Sequence, residues 1–149
     1  MQTFVPFADF AECAKTLDWR RLGKQRSECK QINKALRGEY KKAWIHHTAV
    51  LMWKGYEIAL CDYAIAICLE WRRRGYADAQ LGYFTDQASY WSKIRTADSL
   101  SPHWIGDDRI HSSHRSNLLR KDAEFYGKYG WLESPDLPYI WPSGAKSQA

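Results

Sequence analysis

Apolar residues recur along this chain at helical intervals, separated by short polar breaks, and no strand-like alternation of any length occurs. Asp9, with Glu12 three residues later, opens a short helix over residues 10–16 in the manner of a capping box. Asp18 can cap the next helix. Trp19, Leu22, Cys29, Ile32 and Leu36 form its apolar stripe, and Gly38 ends it. Arg21, Lys24 and Glu28 fall on the opposite face, which the pattern predicts to be exposed. After the polar link "RGEYKKAW", Thr48 can cap a long helix reaching about Arg74, roughly 40 Å in length. Its middle, "IALCDYAIAICLEW", is apolar on nearly every side and predicts a buried central helix. The closing "RRRG" suits a helix C-terminus, where the macrodipole favours cations and Gly75 can take the left-handed cap.

Further along, "DQASYWSKI" reads as a helix and "SPHWIGDDR" as a loop. Ser112 or Ser113 can start a helix through "HRSNLLRKDAEFYGKYG". The three-proline segment "WLESPDLPYIWP" predicts an extended strap anchored by its aromatic and aliphatic residues, and "SGAKSQA" (143–149) a frayed tail. The expected fold is therefore all-α: one domain over residues 1–149, built around the long central helix, with a loop-rich, aromatic-rich C-terminal segment.

Composition supports a folded, non-membrane chain. At 149 residues a single domain can bury about two-thirds of its unfolded surface. The 45% hydrophobic and 26% charged content argues against wholesale disorder. The longest apolar stretch is too short to span a bilayer and carries Asp62. The N-terminus has no basic region followed by an apolar run, so no signal peptide is read and a cytoplasmic protein is expected. Cys13, Cys29, Cys61 and Cys68 include no CxxC pair, and they read as reduced, buried core thiols.

Charge sharpens the picture. Between Lys15 and Lys42 there are ten Lys/Arg and three acids, a net +7 against +5 for the whole chain. The basicity is thus a patch, of the kind that attracts phosphate backbones. A second segment, "HRSNLLRKDAEFYGKYGW", interleaves Arg115, Arg120, Lys121 and Lys128 with Phe125, Tyr126, Tyr129 and Trp131. Cations that fix phosphates beside rings that stack on bases suit a protein that distorts DNA, although the same pattern also describes a core helix with snorkelling cations. One cationic face made by Arg20, Arg21, Lys24 and Arg26 with Arg115, Arg120 and Lys121 is the expected DNA contact.

Candidate chemistry is sparse. His46 and His47 are adjacent and His111 and His114 lie three apart, a set that could hold a metal in a metal-dependent enzyme. No carboxylate or thiol falls at a supporting interval, so no metal or cofactor is expected. His47 reads instead as the cap of the long helix, or these histidines as contacts to phosphate or a nucleobase. No glycine-rich phosphate loop and no nucleophile elbow is present. Glu28 stands alone in its cationic surroundings. A helix salt bridge to Lys24 accounts for it, and so would a catalytic role.

Three stretches resemble a known family. In "LDWRRLGKQRSE", Leu17, Leu22 and Glu28 are similar to the pattern leading to the catalytic glutamate of the pyrimidine-dimer DNA glycosylases with AP-lyase activity, the phage endonuclease V type. Residues His47 through Tyr76 resemble the family's His-initiated helix ending in a basic turn, and "SNLLRKDAEFYGKYG" its basic, aromatic-rich DNA-holding tail.

The resemblance implies an all-α base-excision enzyme, acting as a monomer on damaged double-stranded DNA. Its nucleophile is the chain's own α-amine, which attacks the deoxyribose C1′ and displaces the base through a Schiff base. α-Amines ionise near 7.7–8.0, far below lysine at about 10.4, so a useful neutral fraction exists at pH 7. Glu28 would stabilise the cationic transition state and then move the sugar protons during β-elimination. His47, His114, Tyr126 and Tyr129 would join the basic residues in holding DNA. The runner-up is a non-catalytic DNA-binding protein on the same scaffold.

The chain departs from the family's pattern at three places. Residue 2 is Gln rather than a small residue, Ser27 precedes the glutamate where an Arg is common, and the segment before Glu28 is about five residues longer. Either Met1 carries the nucleophilic amine, or Gln2 does, or the lyase step is lost.

Overall fold

The Asp9 side chain accepts from the Glu12 amide at 3.0 Å and starts α1 (Phe10–Thr16), as its sequence predicts. The computed structural model describes residues 1–40, 45–95 and 101–142. Its further helices are α2 (Trp19–Leu36), α3 (Thr48–Leu51), α4 (Glu57–Arg73), α5 (Leu81–Ser92), α6 (Asp108–Lys121) and α7 (Ala123–Tyr126), followed by a single 3₁₀ turn at Gly127–Tyr129. Among the described residues there is no strand, so the fold is all-α. None of the helices is long and apolar enough to cross a membrane.

The helix expected over 48–74 is two helices. His47 caps the short α3, its Nδ1 accepting from the Ala49 amide at 3.1 Å. The chain then turns through Gly55 at φ +87°, a conformation that side-chain-bearing residues rarely adopt, before α4 begins. Glu57 makes that turn a cap. Its buried carboxylate accepts from the Gly55 amide at 2.9 Å and pairs with Arg95, so the apolar periodicity continues through a break that only the glycine marks.

α4 packs against α1, α2 and α5. It buries Ala59, Leu60, Tyr63, Ala64, Ile67 and Cys68. Gly23 of α2 meets the Trp71 ring so closely that a Cβ there would sit 2.9 Å from its carbons, which sets the approach of the two helices. At the C-terminal end of α4, Arg74 donates to the Ala14 and Lys15 carbonyls that α1 leaves free. The three arginines of the basic turn are thus structural: Arg72 pairs with Asp78, and Arg73 and Arg74 with Glu70.

Other local expectations shift. Leu22, Cys29 and Ile32 are buried as the stripe of α2 predicts, but Trp19 is 54% exposed. Glu28, assigned to the exposed face, is only 8% exposed. α6 begins at Asp108, capped by Asp107, rather than at Ser112 or Ser113. Ser113 is instead buried, donating to the Ile110 carbonyl and accepting from the Ile140 amide. The helix does not run unbroken to Gly130. Asp122 leaves helical geometry at φ −153° and its side chain recaps the chain at Phe125, starting α7. Residues 131–142 form the expected strap, fastened on α6 where Ser116 and Ser113 accept from the Leu137 and Ile140 amides. All four cysteines are free and buried, and burial pushes the Cys13, Cys61 and Cys68 thiols up to about 12. Lys41 and Lys42 of the basic patch and the tail 143–149 lie outside the described residues.

Candidate active site

The first five residues form no helix and run into the interior. Thr3 and Val5 are fully buried, and side chains from several elements hold the segment on the way. Trp53 Nε1 donates to Thr3 Oγ1 at 3.0 Å, and Tyr63 of α4 donates to the Phe4 carbonyl at 2.6 Å. Two histidines of α6 hold Val5. Because an amide nitrogen only donates, His114 Nδ1 is the acceptor at 2.9 Å and its proton sits on Nε2. A carbonyl only accepts, so His111 donates from Nδ1 to Val5 O at 2.8 Å and accepts from the Gly106 amide on Nε2. Burial first, and the neighbouring His111 second, push the His114 ring down to about 3, which keeps it a neutral acceptor.

This anchoring delivers Met1 and Gln2 to a groove of about 770 Å³ between the N-terminal segment, the first turns of α2 and the end of α6. Gln25 and Glu28 of α2 complete its lining on one side. Arg20, Arg21, Lys24 and Lys121 supply positive charge around it, while Trp19 and Phe125 contribute aromatic surface. Burial, then the charges of Arg21, Arg120 and Lys24, push the Lys121 ammonium down, so these cations converge on one region. Such convergence is unfavourable in the free protein and favours an anionic ligand.

Glu28 is more than a salt-bridge partner in geometry. Its Oε1 lies 3.7 Å from Lys24 Nζ, a loose pair with a lysine side chain that is 71% exposed. Pairs of this kind contribute only a few tenths of a kcal/mol. Its Oε2 is buried and finds no hydrogen-bond partner among the described residues, a costly arrangement for a carboxylate with no other task. The Met1 α-ammonium and the Glu28 carboxylate both act on the His47 ring. Burial lowers its pKa first, the ammonium lowers it further, and Glu28 opposes them. Amine, carboxylate and imidazole therefore share one neighbourhood.

The groove gathers Met1, Gln2, Glu28, Arg20, Arg21, Lys24 and Lys121 of the residues singled out from the sequence, while the Arg120 guanidinium donates to the Pro135 and Leu137 carbonyls and to Asn117. Others are committed elsewhere. Arg26 turns to Asp78 at 2.7 Å and lies over the Trp71 ring. Arg115 is bound by Glu133, Asp108 and the Pro6 carbonyl, tying the strap to the N-terminal segment. His114 is in the core, 1% exposed. Tyr126 is buried with its hydroxyl on Asp18, and Tyr129 donates to the Thr16 carbonyl at 2.9 Å. Burial opposes ionisation of Asp18, but Tyr126 and Arg21 outweigh it and hold its carboxyl below the ordinary value. The four histidines considered as metal ligands are divided among these duties, with His46 exposed. No three His, Cys, Asp or Glu side chains of the described residues converge as ligands.

Gln25 and Trp19 are among the groove residues that sequence reasoning missed. Gln25 was legible as a polar side chain within the apolar stripe between Leu22 and Cys29. Trp19 was not, because an indole at the right interval reads as core whichever way it points.

A small all-helical domain with a cationic groove beside its own N-terminus suits a polyanionic strand. Residues 1–81 match the family model of the pyrimidine dimer DNA glycosylases, and the chain belongs to that family. The match contains Met1, Gln2, Glu28 and His47 and ends in the first turn of α5. Neither the curated proteins nor the solved structures include a match to this chain.

Proposed function

We propose that this protein excises damaged pyrimidines, pyrimidine dimers foremost, from duplex DNA and then nicks the strand, acting as a monomer. The observation that carries the reading is the placement of Met1 and Glu28 at one cationic groove, with His47 sensing both charges. A non-catalytic DNA-binding protein has no need to fix its N-terminus beside a buried, half-unpaired carboxylate.

In this reading the Met1 α-ammonium first gives up a proton. Its lone pair forms a bond to C1′ as the glycosidic bond breaks, and the pyrimidine leaves with that electron pair. Glu28 Oε2 faces the positive charge that builds on the sugar. Opening of the ring, with O4′ gaining a proton, gives the iminium. Glu28 then takes a C2′ proton, the electrons form the C2′–C3′ double bond, and the 3′ phosphate oxygen departs. Water hydrolyses the iminium and regenerates the amine. Arg20, Arg21, Lys24 and Lys121 hold the flanking phosphates, while Trp19 and Phe125 offer faces on which bases stack.

Borohydride added to the protein and UV-irradiated duplex should trap a covalent adduct through reduction of the iminium. One extra residue ahead of Met1 should abolish it by displacing the amine. An adduct that survives the extension, or absence of any adduct on damaged and abasic duplexes, overturns the reading.

A further inference from the structure

We infer that Gln25 is a positioning residue for the reacting amine, a role that rests on the Schiff-base reading above. Its side-chain amide grips the backbone on both sides of Thr3. Nε2 donates to the Gln2 carbonyl at 3.1 Å and Oε1 accepts from the Phe4 amide at 3.1 Å. These are the paired donor and acceptor that a neighbouring strand would present, supplied here by one side chain. The orientation of the amide follows from its partners, because a carbonyl cannot donate and an N–H cannot accept. Tyr63 braces the same end, its hydroxyl reaching Gln25 Oε1 at 2.9 Å and the Phe4 carbonyl.

Three features give this grip a bearing on chemistry as well as on folding. Gln25 lies three residues before Glu28 on α2, so one rigid helical turn carries both the clamp and the carboxylate. It is 1% exposed yet lines the groove, and it is the fastening nearest Met1. Trp53 and the two histidines hold the chain further along, at Thr3 and Val5. Loss of Gln25 therefore leaves residues 1 and 2 held only by the packing of Met1 on the core, while Val5 stays anchored. Gln25 is also uncharged, so its removal leaves every phosphate-facing cation and Glu28 in place. The distance between amine and carboxylate is set by this amide.

Gln25→Met keeps the length and removes both hydrogen bonds. In the full chain it should expose the Phe4 amide to hydrogen exchange while the Val5 amide stays protected. At saturating abasic duplex the rate of borohydride-trapped adduct should fall about 100-fold, the scale of an ångström-sized misplacement, with Kd for the duplex unchanged. Ile67→Ala, a core change away from the groove, serves as a control matched for loss of Tm. Tyr63→Phe, a milder release of the same brace, should slow the adduct in the same direction by a smaller factor. Unchanged Phe4 exchange overturns the clamp, and an equal slowing in the Tm-matched Ile67→Ala reduces Gln25 to a structural residue. Absence of adduct from the unmodified protein instead refutes the Schiff-base reading itself, and the exchange data then report a clamp without catalytic meaning.

Discussion

Lowering the pH from 7 to 5 should destabilise this protein by about 2 kcal/mol through His114 alone. An unfolded histidine ionises near 6.5, whereas burial holds this ring down to about 3 in the folded state. The unfolded chain therefore binds the proton more readily. The contribution is fully present above pH 6.5 and shrinks as pH falls through that value, at about 1.4 kcal/mol per unit until the folded pKa is reached. Carboxylates whose folded pKa is depressed, among them Asp18, Glu70, Asp78 and Glu133, lose stability in the same direction but below their unfolded values, so pH 5–7 largely isolates the histidine. His47, also lowered, adds a smaller effect of the same sign, and Asp62, raised by burial, acts in the opposite direction. Urea unfolding at pH 7 and pH 5 measures the loss. His114→Asn can still offer an oxygen to the Val5 amide but has no proton to gain. It should be less stable at pH 7, with the pH 5–7 dependence reduced by most of the 2 kcal/mol. A variant that loses as much stability as the parent over that interval would show that His114 is not the neutral acceptor holding Val5.

Glu28→Gln should cut turnover on damaged duplex by about 10²–10⁴, the range of a lost acid–base group, and leave duplex affinity nearly unchanged in a binding titration. Lys121→Met should lower the slope of log K against log salt by about one, whereas Arg26→Met should leave the slope alone. Arg26→Met should instead cost about 2 kcal/mol in urea unfolding, because the buried Asp78 carboxylate then keeps Arg72 as its one cationic partner beside the Gln80 and Leu81 amides. Trp19→Ala should weaken binding about 10- to 100-fold by losing a stacking face, with Tm barely changed for so exposed a side chain.

Much of the architecture could be read from spacing. The Asp9 cap, the buried stripe of α2, the histidine cap at residue 47 and the strap over α6 all follow from local chemistry that the fold leaves intact. The break at Gly55 was concealed because the apolar period on both sides is continuous, and only a glycine followed by a capping Glu57 marks it. The cationic groove was legible where charge drew it, at Arg20, Arg21, Lys24 and Glu28. It was less so where the same residue type serves two ends. Arg26 and Arg115 look like phosphate contacts in sequence, but carboxylates 52 and 18 residues away, Asp78 and the half-buried Glu133, claim them. Pairings at that range carry no local signature.

Threading the N-terminal segment through the core also sets an order of assembly. Phe4 waits for Gln25 21 residues later, its carbonyl for Tyr63 59 residues later, and Val5 for His114 109 residues later. A ribosome releases a chain from its N-terminal side, so Val5 finds its partner His114 only when α6 has emerged. The part of the groove lining that α6 supplies, at Lys121, is absent until then. On the Schiff-base reading, the reacting amine is therefore held back until α6 has been made.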